Sequence, residues 1–414
     1  MTDWPTVHLG DHVRIKHGFA FQGEFFDEAG EFIVLTPGNF IESGGFKPKS
    51  GAEKYYTASP PDEFVLGRGD LVIAMTEQAQ GLLGSSALIP IDNTYLHNQR
   101  IGLVEQRSKE IDRRFLYYLF NTSGIRDQIQ ATATGSKVRH TAPGRVESVT
   151  VRLPPLPTQQ KIAAILSAYD DLIENSNRRI KLLEEMAQRI YREWFVEFRY
   201  PGHEGTPLVD SELGPIPEEW SVSPLFNVAT VTFGFPFKSD LFNDAAGLPI
   251  IRIRDIPDGE SATLTTELAG PTYRVGDGDI LVGMDGEFHM GRWSAGDAWL
   301  NQRVARFRVI SNVMSRYALY LALEKPITDW NRSIVGTTVA HLGKRHLELV
   351  RLLAPPPALA MRTGELLDPL FDLEINLRKA TRLLRATRDL LLPRLISGEV
   401  DVTDLNIAIP DEAA

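Results

Sequence analysis

Two stretches of this chain place small hydroxyl residues beside cations. One is Gly135-Ser136-Lys137-Val138-Arg139-His140, with Arg145 just beyond. The other is Gly336-Thr337-Thr338-Val339-Ala340-His341, followed by Lys344 and Arg345. Hydroxyls, small residues and open backbone N–H groups suit contact with phosphate oxygens, and Lys and Arg add charge. Two dipeptides, Gln99-Arg100 and Gln302-Arg303, carry side chains able to reach base edges. Gln pairs with adenine and Arg with guanine in a major groove. Gln22, Lys238 and Ser239 follow two similar aromatic blocks, and Arg252 and Arg254 lie on a strand-like run. The plain alternative for all of these is a set of polar surface loops. For His140 and His341 it is a structural role, bonded to backbone, and the sequence puts no carboxylate cluster near either.

Signs of catalysis are missing. There is no GxxxxGK[ST] phosphate loop and no HExxH. The Gly-x-Gly-Asp turns at Gly67 and Gly276 precede an apolar run. A dinucleotide motif instead follows a strand and continues as GxGxxG. Pro-Pro occurs as SPPD, LPPL and APPP, none of them the Asn/Asp-Pro-Pro-aromatic element of an amino-methyltransferase. With no cysteine, disulfides, thiol catalysis and thiolate metal sites are excluded. No catalytic or metal-binding residue is assigned, and no cofactor is expected in this chain.

The elements that must position these loops are long. Leu153–Arg199 opens with prolines, which suit a first helical turn. It then repeats small or apolar residues at 3,4 spacing: Ile162, Ile165, Tyr169, Leu172, Ser176, Ile180, Leu183, Ala187, Ile190 and Trp194. That narrow stripe predicts a coiled-coil seam. About 40 helical residues make a rod of roughly 60 Å. A second stretch opens at Pro355 and carries Thr363, Leu366, Leu370, Leu373, Leu377, Ala380, Leu384, Thr387 and Leu391. Pro369 inside it predicts a kink or a delayed start. Two such seams in one chain most simply bury each other.

The remainder is a repeat. HGFAFQGEFF matches FGFPFKSDLF, and the strand-like EFIVLTPGNF matches LPIIRIRDI. GRGDLVIAMT matches GDGDILVGMD, HNQRIGLV matches LNQRVARF, and RRFLYYLF matches SRYALYLA. GSKVRHT matches GTTVAHL, and VRLPPLP matches RLLAPPP, all in the same order. The phenylalanines of the GFxF blocks read as packing positions of a half-buried strand. The expected organisation is a globular unit at 1–152, a long helix at 153–200 and a linker at 201–219. A second unit follows at 220–354, a second long helix at 355–398 and a tail at 399–414. Two like units pairing through one surface do so most simply about a two-fold. The expected fold is therefore α+β: two similar globular domains separated by an antiparallel helix pair, with a pseudo-two-fold internal repeat.

The 414 residues are 43% hydrophobic and 24% charged. That is the composition of an ordinary globular protein. The N-terminus does not read as a signal peptide, and no apolar run is long enough to span a membrane, so a cytoplasmic protein is expected. Net charge is −10. Alone, that argues against nucleic acid. The acid is concentrated, however. Residues 201–354 carry 14 basic and 19 acidic side chains, while 157–200 carry 7 of each. A local basic face remains compatible with that balance.

These blocks, and above all LPPLPTQQKIAAILSAYDDLIENSNRRIKLLEEMAQRIYREWF with its weaker copy ending LLLPRLISGEV, resemble the specificity subunit of a Type I restriction-modification system. The second copy departs from the pattern, with ALAMRTG in place of PTQQKIA. The resemblance covers nearly the whole chain. It implies two target-recognition domains, each reading half of a split site in double-stranded DNA. It implies long helices that fix the spacer and dock two methyltransferase subunits, with motor-nuclease (R) subunits joining that core. It also implies a non-catalytic chain, since an adenine methyltransferase partner would bind S-adenosylmethionine and do the chemistry. Two alternatives stand beside it. One is a coiled-coil scaffold with protein-binding globular ends, which the net acidity favours. The other is an enzyme acting on DNA alone, which would need a catalytic cluster.

Overall fold

The computed structural model describes residues 4–49, 51–77, 81–310, 313–333 and 341–409. The chain divides into two compact units. The first joins residues 1–171 with 385–414, and the second is residues 172–384.

Both units are built on one plan. In the first, a four-stranded antiparallel sheet runs in the order Val13–His17, Ile101–Gln106, Leu71–Ala74, Ser86–Leu88. In the second, the order is Ala229–Phe233, Val304–Val309, Ile280–Gly283, Met290–Arg292. A smaller sheet also repeats. Phe26–Asp27, Tyr55–Tyr56, Phe32–Val34 and Tyr95–Leu96 correspond to Phe242–Asn243, Leu264–Thr265, Leu248–Ile251 and Ala298–Leu300. In each copy the last pair is parallel. The second unit adds Arg274–Val275 at its edge. Two helices, Arg113–Phe120 and Ser123–Ala131, stand where the second unit has one, Arg316–Ser333.

The repeated motifs have physical causes. In Gly-x-Gly-Asp the aspartate caps its own turn: Gly67 N–H donates to Asp70 Oδ2 at 2.9 Å, and Gly276 N–H to Asp279 Oδ2 at 2.9 Å. The second glycine of each turn, Gly69 or Gly278, takes a positive φ. A side chain resists that conformation. In GFxF the glycine is required by close approach. A Cβ on Gly18 would lie 2.1 Å from the carbonyl oxygen of Asn98, and one on Gly234 would lie 1.9 Å from that of Asn301. The block is a single parallel bridge, Phe19 to Asn98 and Phe235 to Asn301, rather than a strand. Its aromatic pattern comes from ring packing, as between Phe21 and Tyr56 at 5.0 Å and Phe237 and Trp299 at 5.7 Å.

The first long helix is Leu156–Tyr191, extended by a π turn over Arg192–Val196. The second is Pro357–Ile396 and passes through Pro369 and Pro393 unbroken, so the start is not delayed. The buried seam differs from the sequence expectation by one position at several points. Leu166 and Ile173 are buried where Ile165 and Leu172 were expected, and Leu172 is exposed. Likewise Leu367, Glu374 and Thr381 are buried, while Leu366, Leu373 and Ala380 are exposed. Neighbouring apolar residues made both registers readable at 165–166, 172–173 and 366–367, whereas Glu374 and Thr381 read as outward by their polarity. Both alternations keep one face inward, and packing against the other helix segment selects 162, 166, 169, 173 and 176.

Within each unit the helix segments run antiparallel. In the first, Ile162 and Leu166, early in one helix, share a core with Leu395 and Ile396, late in the other. In the second, Ile180 and Leu183 pack with Leu377. Each unit's sheet-side helix is tied to this pair by polar contacts. Tyr118 O–H donates to Asp170 at 2.6 Å, and Asp170 also pairs with Arg388. Burial, and the Asp170 carboxylate beside it, hold the Tyr118 hydroxyl well above the ordinary phenol range. In the second unit, buried Arg292 bonds Glu184 and Glu374, Arg378 bonds the same two carboxylates, and Tyr317 O–H donates to Glu374 at 3.0 Å.

His97 is fully buried, with Nε2 against the Ile101 carbonyl at 2.8 Å and Nδ1 unpaired. Burial lowers its pKa from 6.5 to about 4. The second unit has Leu300 at the equivalent position. A neutral buried histidine contributes stability above its unfolded pKa. That contribution declines as pH falls from 6.5 towards about 4, because only the unfolded chain takes up the proton. The loss amounts to about 3 kcal/mol at most. His97→Leu should therefore reduce the fall in melting temperature between about pH 7.5 and about pH 4.5. Equal acid sensitivity in the two proteins would remove His97 as its source.

Candidate nucleic-acid interface

The strand ends bring three repeated blocks together in each unit. Met75 N–H donates to the Arg100 carbonyl at 3.0 Å, and Thr141 N–H to the Met75 carbonyl at 3.0 Å. The second unit repeats this: Met284 N–H to Arg303 O at 2.9 Å, and Leu342 N–H to Met284 O at 2.7 Å. The Asn-Gln-Arg turn, the end of the Gly-x-Gly-Asp strand and the histidine loop are thus adjacent. The GFxF block joins them, since Gln99 N–H donates to the Phe19 carbonyl at 3.0 Å and Phe235 N–H to the Leu300 carbonyl at 2.9 Å.

In the first unit, Gln22, Gln99, Arg100, Ser136 and Lys137 are exposed, and the side chains have no polar partner among the described residues. Arg139 is engaged. It donates to Glu77 at 3.2 Å and to the Gln130 carbonyl at 2.8 Å, and Glu77 is buried. Glu77 also accepts from the N–H groups of Gly81 and Leu83. His140 extends a short strand pairing with Thr76, and its Nε2 lies 3.1 Å from Thr134 Oγ1. Arg145 is bonded to the Thr132 carbonyl at 2.7 Å.

In the second unit the same place is more strongly bonded. His341 Nδ1 lies 2.7 Å from Asp285 Oδ1, and Arg303 Nη1 lies 3.1 Å from Asp285 Oδ2. A carboxylate therefore does stand beside this histidine. Gln302 is exposed, its N–H bonded to the Asn301 side chain at 2.8 Å. Arg252 is half-buried and paired with Asp255 at 3.3 Å, while Arg254 is exposed. Their turn neighbours the strand end, because a Cβ on Gly283 would meet Ile253 at 2.8 Å. Lys238 and Ser239 are exposed three and four residues beyond Phe235, with Lys238 N–H bonded to Glu267 at 2.8 Å. Lys344 and Arg345 are exposed on the short helix Lys344–Glu348 just after the histidine loop, and Lys344 pairs with Glu348 at 3.7 Å. Thr337 and Thr338 lie outside the described residues.

Sequence reading did not single out Asp285 or Glu77. The available signal for Asp285 was its alignment with Thr76 at the end of otherwise matched blocks. Among the described residues, no group of His, Asp and Glu comes together as a metal site needs, and no helix is long and apolar enough to cross a membrane.

Comparison with known proteins agrees with this duplicated plan. The family model for the Type I restriction modification DNA specificity domain matches residues 1–185 and again residues 217–385. The chain belongs to that family and carries its domain twice. It is 27% identical over 307 residues to the Type I restriction enzyme MjaIX specificity subunit of Methanocaldococcus jannaschii, covering 70% of each protein. It is 32% identical over 194 residues to the EcoBI specificity subunit of Escherichia coli, covering 46% of this chain and 41% of that one. Its fold is similar to the crystal structure of a Type I system S subunit from M. genitalium, with a TM-score of 0.62 at 14% identity. That match covers 95% of this chain and 96% of the other.

The geometry separates two lysine and arginine roles. Lys137→Ala should weaken binding to all duplexes alike and reduce the salt slope by about one contact. Arg139→Ala should instead lower stability by roughly 2 kcal/mol, by removing the ion pair of buried Glu77, which then keeps only the Gly81 and Leu83 N–H groups and the charge of Arg126 nearby. Anisotropy titrations at several salt concentrations, with thermal melts, distinguish them. A sequence-selective loss for Lys137→Ala would mean base readout, and an unchanged melt for Arg139→Ala would contradict the bracing role.

Proposed function

We propose that this chain is the DNA-specificity subunit of a Type I restriction-modification complex, with each unit reading one half of a split site in double-stranded DNA. The observation that carries this is the shared framework with unlike fillings. Both units set a Gln-Arg turn against a histidine loop through the same backbone bonds, yet one holds Thr76 where the other holds Asp285. A common scaffold bearing different side chains suits two sequences read by one kind of domain.

The reading assigns residues 1–152 and 220–354 to recognition, 201–219 to a linker and 399–414 to a tail. The long helices at 153–200 and 355–398 set the spacing between half-sites and dock two methyltransferase subunits. Those partners bind S-adenosylmethionine and methylate adenine, and R subunits join where the system has them. This chain supplies placement without catalysis, in the cytoplasm. Its negative total charge is compatible with that role, because phosphate contacts need only a local basic face and partner subunits surround the rest of the duplex.

Co-expression with the partner methyltransferase, followed by mapping of methylated adenines, tests the reading. A motif of two short fixed parts around a constant gap is expected. An ungapped motif, or a stable complex that methylates nothing, would send the protein to the scaffold alternative. Exchanging residues 1–152 for those of a relative should alter one half of the motif only, and alteration of both halves would sink the two-unit reading.

Seven residues keep a heptad seam in register. Inserting one heptad into each long helix, about 10 Å, should widen the gap by about three base pairs at ~3.4 Å each. An unchanged gap would refute the spacing role.

A further inference from the structure

The two units differ inside a junction whose backbone bonds they share. At the junction of the Asn-Gln-Arg turn and the histidine loop, the backbone bonds match, but the second residue beyond the strand Leu71–Ala74 is Thr76, and beyond Ile280–Gly283 it is Asp285. Thr76 carries no charge. Arg100 beside it has no side-chain partner among the described residues, and His140 turns to Thr134. Asp285 faces both of its neighbours: one oxygen hydrogen-bonds His341 at 2.7 Å, and the other forms an ion pair with Arg303 at 3.1 Å.

The placement of the carboxylate is informative. The side chain of Asp285 is only 16% exposed, while those of Arg303 and His341 are each 62% exposed. The acid is recessed and the two donors stand in front of it. Its charge offsets that of Arg303, so the cluster attracts phosphate less than a free arginine does. A surface built only to gather phosphates has no use for it. A guanidinium paired through one nitrogen to a recessed carboxylate is, however, restricted in where it points, and its remaining N–H groups keep the planar fork that matches the O6 and N7 of guanine.

We propose that Asp285 is a positioning residue of the second unit: it fixes Arg303 and His341 in one geometry, so that this unit discriminates bases through an oriented fork, whereas the first unit uses an unrestrained Arg100. This rests on the reading that both units bind DNA. Asp285 itself touches no base. Its removal frees Arg303 to find phosphates, which raises sequence-independent affinity while lowering selectivity.

The experiment uses the full chain in complex with its methyltransferase. Asp285→Thr installs the first unit's residue, and Arg303→Lys keeps the charge but loses the fork. Methylated-site mapping is combined with titration of a duplex lacking the motif at several salt concentrations. For Asp285→Thr, the second half-site should lose about ten-fold or more in discrimination. The first half-site should stay sharp. Affinity for the motif-free duplex should rise several-fold, with a salt slope steeper by about 0.9. For Arg303→Lys, the second half-site should blur without that rise. An unchanged second half-site in either variant overturns the inference, as does a fall in motif-free affinity for Asp285→Thr. Arg303 is exposed, so the lysine variant decides the matter if Asp285→Thr fails to fold. A wild-type complex with no split motif would instead fail the functional reading itself.

Discussion

A buried guanidinium requires partners, and Arg292 obtains them from the helices beneath its sheet. Its side chain is buried, and Glu184 and Glu374 hold it from one long helix each. Stripping one partner from such a group costs about 3–5 kcal/mol, because an uncompensated charge stays buried. The orientation of the second unit's sheet on its own helix segments depends on this network. Tyr118, Asp170 and Arg388 play a lighter version of the same part in the first unit. Both networks draw on both long helices, so neither helix segment alone completes the seat of a sheet.

Much of this plan was legible in the sequence. The duplicated order of blocks revealed the two units, because glycine packed hard against a carbonyl oxygen and aspartate capping a tight turn tolerate few replacements. Gly18, Gly234, Asp70 and Asp279 therefore stand out by identity alone. The helices were legible from periodicity, but their inward face was not fixed at Ile165-Leu166, Leu172-Ile173 and Leu366-Leu367. Adjacent apolar residues satisfy either register locally, and only packing against the partner segment decides. Glu374 escaped notice for a different reason: a carboxylate reads as an outward residue, and it is buried here against Arg292 and Arg378.

The candidate site was legible as a set of blocks but not as a bonded cluster. Gln99, Lys137 and Gln302 stayed exposed as their polarity suggests. Arg139 and Arg252 did not stay free: Glu77 reaches Arg139 across 62 residues through a neighbouring strand, whereas Asp255, three residues on, folds back onto Arg252 in a tight turn. The ion pair of Asp285 crosses 56 residues to His341, a pairing set by which strands are neighbours.

The first unit takes Leu395, Ile396 and Val402 into its core beside Phe115 and Ile162. On the ribosome those residues appear more than two hundred positions after the sheet they cover. Until then the nascent first unit keeps an open apolar face, while the second unit, residues 172–384, is a single continuous segment. Synthesis therefore delivers the later unit whole before the chain that completes the earlier one has been made. A chain stopped short of its last helical turns would leave its N-terminal half, rather than its C-terminal half, unfinished and exposed to proteases.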